Sequence, residues 1–170
     1  MRTVRQVSER DVWDHWRRIE NHRSSSFRSD IRDQLPSELT WSLCVVEGLD
    51  VDRLYIISSD DWSDISGGTF LASEVAVRLD TKSNNADTIR IANDIRKKLN
   101  YIDSGGHLDS HLVAITNSPS LTGPFTLLEG NRRCVAFYLR RTLIGSEIFV
   151  GFSPAVVECK WARHTYRNFS

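Results

Sequence analysis

The sequence predicts an α+β fold in which a mixed β-sheet carries packed helices. Short β-rich apolar runs recur at 39–46, 53–58, 112–116, 125–128 and 148–152. Helical periods stand beside them near 8–20, 87–100 and 132–141. In the second half strands and helices interleave, and no internal repeat organises the chain. The expected organisation is an N-terminal helix and polar loop over 1–38 that extends a core domain of 39–160. A basic-aromatic tail follows over 161–170.

Ser8 is placed to cap a first helix with the apolar stripe Val12, Trp16 and Ile19, spaced by four and three. Trp13 lies beside that stripe; His15, Arg17, Arg18 and Glu20 fall elsewhere on the helix. Residues 21–30 are polar and without period, which reads as a loop. The runs 39–46 and 53–58 read as strands, the second short and buried. Turn-rich residues 60–68 follow. The segment 70–79 fits either a strand, through Val75, Val77 and Leu79 in alternation, or a helix. Asp87 is a good N-cap for a helix to about Asn100, with the stripe Ile91 or Ala92, Ile95, Leu99 and Ile102. Residues 103–106 break the chain. Strands at 112–116 and 125–128 flank a turn-rich loop, and a helix over 132–141 is expected to bury Val135, Tyr138 and Leu139. A last strand at 148–152 precedes Pro154.

The bulk numbers exclude several classes. Lys and Arg number 22, Asp and Glu number 22, and 40% of residues are hydrophobic. A neutral chain with that apolar content has a real core and is no general polyanion binder, so any nucleic-acid contact comes from a local patch. Cys44, Cys134 and Cys159 lack CxxC or Cys/His ligand spacing, which argues against a disulfide scaffold and a zinc module and suits a reducing compartment. No apolar run approaches the roughly 20 residues of a membrane span. The expectation is a cytoplasmic protein without membrane contact.

The segment 125–139, Phe-Thr-Leu-Leu-Glu-Gly-Asn-Arg-Arg-Cys-Val-Ala-Phe-Tyr-Leu, carries the chemistry. A buried strand delivers the chain to Glu129, Gly130 permits a sharp turn, and a helix starts at once. Helix N-termini bind phosphate and carboxylate through their free amides. Arg132 and Arg133 stand at that end against the helix dipole, and arginine's forked donors suit phosphate. Glu129 can hold a divalent metal, act as a base, or simply pair with one of the arginines.

Glu129-Gly130-Asn131-Arg132-Arg133, followed by Val135-Ala136-Phe137-Tyr138-Leu139, resembles the core motif of the ParB/sulfiredoxin superfamily, an acidic residue and glycine followed by an arginine-rich helix start. The likeness covers about 111–157. It implies a ParB/sulfiredoxin-like core with an N-terminal helical extension, and a phosphate or phosphate-like group set against the motif loop. In sulfiredoxins the reactive cysteine follows the motif glycine. Here that residue is Asn131, and Cys134 is one turn too late, so sulfinic-acid reduction is not expected. In the chromosome-partitioning branch the same position is usually a glutamate, and a helix-turn-helix domain follows. The free-serine-kinase-like branch and the ParB-like nucleases fit better, with Glu129 and Arg133 as catalytic candidates and Gly130, Asn131, Arg132 and Arg133 as ligand-binding candidates.

Secondary candidates come with simpler readings. His107, Asp109 and His111 alternate and would face one side of an extended strand as a metal face; a solvated loop entering the strand at 112 is the plainer account. Asp60, Asp61 and Asp64 lack the EF-hand pattern and read as a solvated turn. Trp16, and with it Trp13, reads as core rather than a base-stacking platform. The tail with Trp161, His164, Tyr166 and Arg167 can bind a single strand or pack on the domain.

The favoured function is binding of a phosphate-bearing ligand, a nucleotide, at 125–139, with phosphoryl transfer or phosphate-ester hydrolysis as the chemistry and Mg²⁺ as a companion. One alternative is a ParB-like nuclease or DNA-binding accessory of a mobile-element or defence system, using Arg17, Arg18, Arg23 and Arg28. The other is a non-catalytic module that binds a nucleotide or a protein.

Overall fold

A computed structural model describes residues 1–20 and 29–166. The chain is α+β, as expected: a six-stranded mixed sheet with packed helices. The strands are β1 (Arg2–Val7), β2 (Thr40–Val45), β3 (Leu54–Tyr55), β4 (Leu112–Thr116), β5 (Phe125–Glu129) and β6 (Glu147–Phe152). Their order across the sheet is β1-β2-β6-β4-β5-β3. The helices are α1 (Glu9–Ile19), α2 (Ser29–Arg32), α3 (Ala72–Arg78), α4 (Ala86–Asp103), α5 (Asn131–Leu139) and α6 (Arg163–Tyr166). Among the described residues no helix is long and apolar enough to cross a membrane.

β4 lies inside the sheet and is buried along its whole length. It runs parallel to β6 and antiparallel to β5. Parallel neighbours need a crossover between them, and here β5 and α5 supply it. α5 packs against α3 and α4. It buries Arg133, Cys134, Val135, Ala136 and Phe137. Val135 is buried as expected, whereas Tyr138 and Leu139 are only half-buried.

Other expectations are corrected in the same way. β1 has no apolar run: its residues are exposed up to a half-buried Val7, and it joins the sheet by antiparallel pairing with β2. An edge strand needs no apolar alternation, and charged side chains protect such an edge. The run 53–58 contributes only the two residues of β3, parallel to β5. Ile56 and Ile57 are buried outside the ladder, with their amides bonded to the Phe70 carbonyl and the Asn131 side chain. The ambiguous segment 70–79 is helical, as α3.

α1 is capped by Ser8, which exchanges hydrogen bonds with Asp11 in a capping box. Trp13 and Trp16 are both buried and stacked, with ring centroids 5.1 Å apart, so neither is a free stacking platform. α4 is capped by Asn85 rather than Asp87: the Asn85 side chain accepts from the amides of Asp87 and Thr88. Asn85→Ala is therefore expected to lower stability by about 1 kcal/mol in chemical denaturation. Asp87→Ala, which removes only an exposed pair with Arg90, costs less.

The tail packs on the domain as far as it is described. Tyr166 is buried; its hydroxyl accepts from the Asn117 amide and donates to the Pro124 carbonyl. Arg23, Arg28 and Arg167 lie outside the described residues.

Candidate functional site

β5 and β4 slip register between Val113 and Ala114: Val113 faces Glu129 and Ala114 faces Leu127. Leu128 is thus the extra residue of a bulge, a device that re-aims side chains at strand ends. The chain then turns through Gly130, in the left-handed region at φ 83 and ψ 14. A side chain here would be strained, and its first carbon would strike Leu112, which is fully buried.

Gly130 is the N-cap of α5, and no side chain caps the helix; its first turn holds no acidic residue either. The first amides of a helix have no partner within it. The cap and the first three helical residues border a cavity of about 830 Å³. α4 supplies Asp94, Lys97, Lys98 and Tyr101 to the walls; the segment after β3 supplies Ile57, Ser59, Asp61 and Trp62. Glu20, Asp30 and Trp161 complete the polar and aromatic rim.

The charges around this cavity are unevenly matched. Arg133 is buried and bonds Glu129 directly, four residues earlier, while its other nitrogen donates to the Asp109 carbonyl at 2.6 Å. Arg132 lies 3.4 Å from Asp94, with its guanidinium 5.6 Å from the centroid of Trp62. Asp94 also meets Lys97 at 3.5 Å. Lys98 makes no ion pair among the described residues. Its burial, and the positive charges of Arg133 and Arg132, hold its ammonium below the ordinary lysine range. Burial raises the Glu129 carboxyl above its ordinary value; Arg133 and the Gly130 amide oppose the rise, and the charge of Glu20 adds to it.

The expected site residues therefore take different positions. Gly130 and Arg132 line the cavity. Asn131 also borders it, but its side-chain oxygen accepts from the Ile57 amide at 3.0 Å and ties the neighbouring wall to the turn. Glu129 and Arg133 line the cavity while neutralising each other. A Mg²⁺ ion at Glu129 would stand beside a guanidinium, which works against it.

The loop reading of 107–111 holds, and the alternating metal face does not form. Residues 107–111 form no strand, and His107 is exposed and apart from the other two. Asp109 and His111 instead converge with His15 of α1. Sequence reasoning missed His15, yet the signal was there: Val12, His15, Trp16 and Ile19 stand at i, i+3, i+4 and i+7, one helical face. Burial, and then the charge of His111, push the His15 imidazole below its ordinary value. The acidic turn does not assemble. Asp60 pairs with Arg163, Asp61 with Arg90, and Asp64 accepts from Ser83 and Thr88. Arg17 and Arg18, offered for nucleic acid, lie beside Asp14 and His15.

No protein-family model, no curated protein and no solved structure matches the chain. The functional reading therefore rests on the geometry of the cavity and the motif that lines it.

Proposed function

We propose that the cavity at the start of α5 binds a phosphate-bearing ligand, a nucleotide, and that the domain is a ParB/sulfiredoxin-like one serving this purpose. One observation carries the reading: an uncapped helix N-terminus borders a cavity that is also lined by Lys98, a half-buried cation with no ion pair among the described residues. A helix start and a cation at the same cavity favour an anion. A lysine held below its ordinary basicity is unfavourable to the empty fold, and a phosphate would relieve it. Trp62 and Tyr101 on the walls suit a base or another flat group. The Glu129-Gly-Asn-Arg-Arg133 motif lies on the strand, turn and helix at this place, and its resemblance to the superfamily motif points to the same ligand class. Because Glu129 and Arg133 neutralise each other, binding is the primary reading; phosphoryl transfer or phosphate-ester hydrolysis requires that pair to open.

The test is a thermal-shift screen with inorganic phosphate, ATP, CTP, GTP and single-stranded DNA, each with and without Mg²⁺. A ligand of the folded state stabilises by mass action, about 2.7 kcal/mol at a hundredfold excess over Kd. A rise in Tm with a nucleotide or phosphate supports the proposal; no shift with any of them at millimolar concentration contradicts it. Salt-sensitive stabilisation by DNA alone would favour the nuclease or DNA-accessory alternative.

Lys98→Met separates binding from folding. It removes the charge at similar length, so the ligand-free variant should melt above the wild type. Its affinity for the ligand should fall about tenfold to a hundredfold, the loss of one charged hydrogen bond. The wild type should also lose affinity as pH rises through the depressed Lys98 pKa, at lower pH than an ordinary lysine would require. The sign follows from the base: only its protonated form, present below that pKa, attracts phosphate.

A further inference from the structure

The geometry points to a second site, a mononuclear Zn²⁺-type centre formed by His15, Asp109 and His111, none of which lines the cavity at α5. One donor atom from each lies within 4.8 Å of the others. His15 Nε2 is 3.6 Å from Asp109 Oδ1, and His111 Nδ1 is 3.1 Å from the same oxygen. Ligands of a tetrahedral zinc, at about 2.0–2.2 Å from the ion, stand about 3.3 Å apart. The two measured separations bracket that value.

Three further observations favour a metal over a chance cluster. His15 is 8% exposed, and its Nε2, 3.6 Å from Asp109 Oδ1, is buried with no hydrogen-bond partner among the described residues. A buried polar atom without a partner calls for an explanation. Second, the other nitrogen of His111, Nε2, lies 2.7 Å from a Glu147 carboxylate oxygen. A carboxylate behind a ligating imidazole fixes its tautomer and leaves Nδ1 free for metal. Third, Phe149 of β6 underlies both imidazoles, with centroids 5.2 and 5.5 Å from the rings of His15 and His111. It provides the apolar support that orients ligands.

Two imidazoles and one carboxylate suit a first-row divalent ion such as Zn²⁺ rather than Mg²⁺ or Ca²⁺. Three protein ligands leave a fourth position open to water or substrate. Two contacts must change on loading. The hydrogen bond between His111 Nδ1 and Asp109 Oδ1 gives way to the ion, with the His111 proton held on Nε2 toward Glu147. The Arg18 guanidinium lies 2.7 Å from His15 Nδ1 and can only donate to it. Arg18 is exposed and turns away, Nδ1 takes the proton, and Nε2 becomes the donor to the ion. Arg133, whose Nη1 is 3.8 Å from Asp109 Oδ1, is offset by Glu129 and does not cancel the negative field of Asp109 and Glu147.

The experiment titrates chelator-treated protein with ZnCl₂ by calorimetry and with CoCl₂ by visible absorption. The site predicts one equivalent of each and the intense d–d bands of a four-coordinate cobalt centre. His15→Gln and Asp109→Asn should abolish saturable binding, with Tm of the metal-free variants checking their folding. Glu147→Gln, a half-exposed position that folding tolerates, should weaken binding about tenfold to a hundredfold. Arg18→Ala should bind at least as tightly as the wild type, because it frees Nδ1. Absence of a one-equivalent transition in the wild type, affinity unchanged by Glu147→Gln, or binding lost in Arg18→Ala would each overturn the proposal. Phosphate and nucleotides take no part in this titration, so its outcome is independent of the cavity reading.

Discussion

Arg133→Met should destabilise the protein by about 3–5 kcal/mol at neutral pH, the cost of leaving one charge of a buried ion pair without its partner. The Arg133 side chain is 7% exposed and that of Glu129 is 12% exposed, so water compensates for little. The variant also frees the Asp109 carbonyl that Arg133 bonds. Glu129→Gln in the same chain should restore a large part of the loss, because it removes the stranded charge; a double-mutant cycle by urea denaturation measures the coupling. The deficit should also depend on pH. Burial already raises the Glu129 carboxyl, and loss of the guanidinium raises it further. A carboxyl raised in the fold binds its proton more tightly there than in the unfolded chain. Its penalty is full above the folded pKa and vanishes below the unfolded one. The gap between Arg133→Met and wild type should therefore narrow as the medium is acidified toward the ordinary glutamate range.

Gly130→Ala should cost about 2–5 kcal/mol. An alanine in the left-handed region loses about 1–2 kcal/mol, and forcing a carbon into packed Leu112 adds about 1–3 kcal/mol. Gly145 is the internal control. It has φ 90, but a carbon added there meets nothing within 4 Å. Gly145→Ala should show the backbone cost alone, about 1–2 kcal/mol. Equal losses at the two positions would mean that Leu112 yields without cost. On the proposed function, Gly130→Ala should also weaken phosphate binding, because Gly130 and the first residues of α5 border the cavity.

Much of this site was legible in the sequence because its signals are local. A buried strand, a glycine and an apolar helix are adjacent in the chain, and together they specify β5, the turn and α5. The ion pair between Glu129 and Arg133 was also readable, since residues four apart on a helix start can meet. What escaped is long-range or depends on a neighbour. β1 is polar and takes its strand conformation from pairing with β2. Ile56 and Ile57 have strand composition, yet the Asn131 side chain and the Phe70 carbonyl claim their amides. Asn85 and Asp87 are both competent N-caps two residues apart, and composition does not choose between them. Nor did the spacing of His107, Asp109 and His111 reveal that the third partner comes from α1, although the apolar face that holds His15 could have raised the question.

Amide chemical shifts in an NMR titration with inorganic phosphate, and with the nucleotide that stabilises best, report whether the α5 N-terminus is an anion site. The amides of Asn131, Arg132 and Arg133 should move first and saturate together, with the Lys98 ammonium responding in the same concentration range. A ligand that binds but leaves those three amides in place, shifting residues elsewhere instead, would contradict the proposed function.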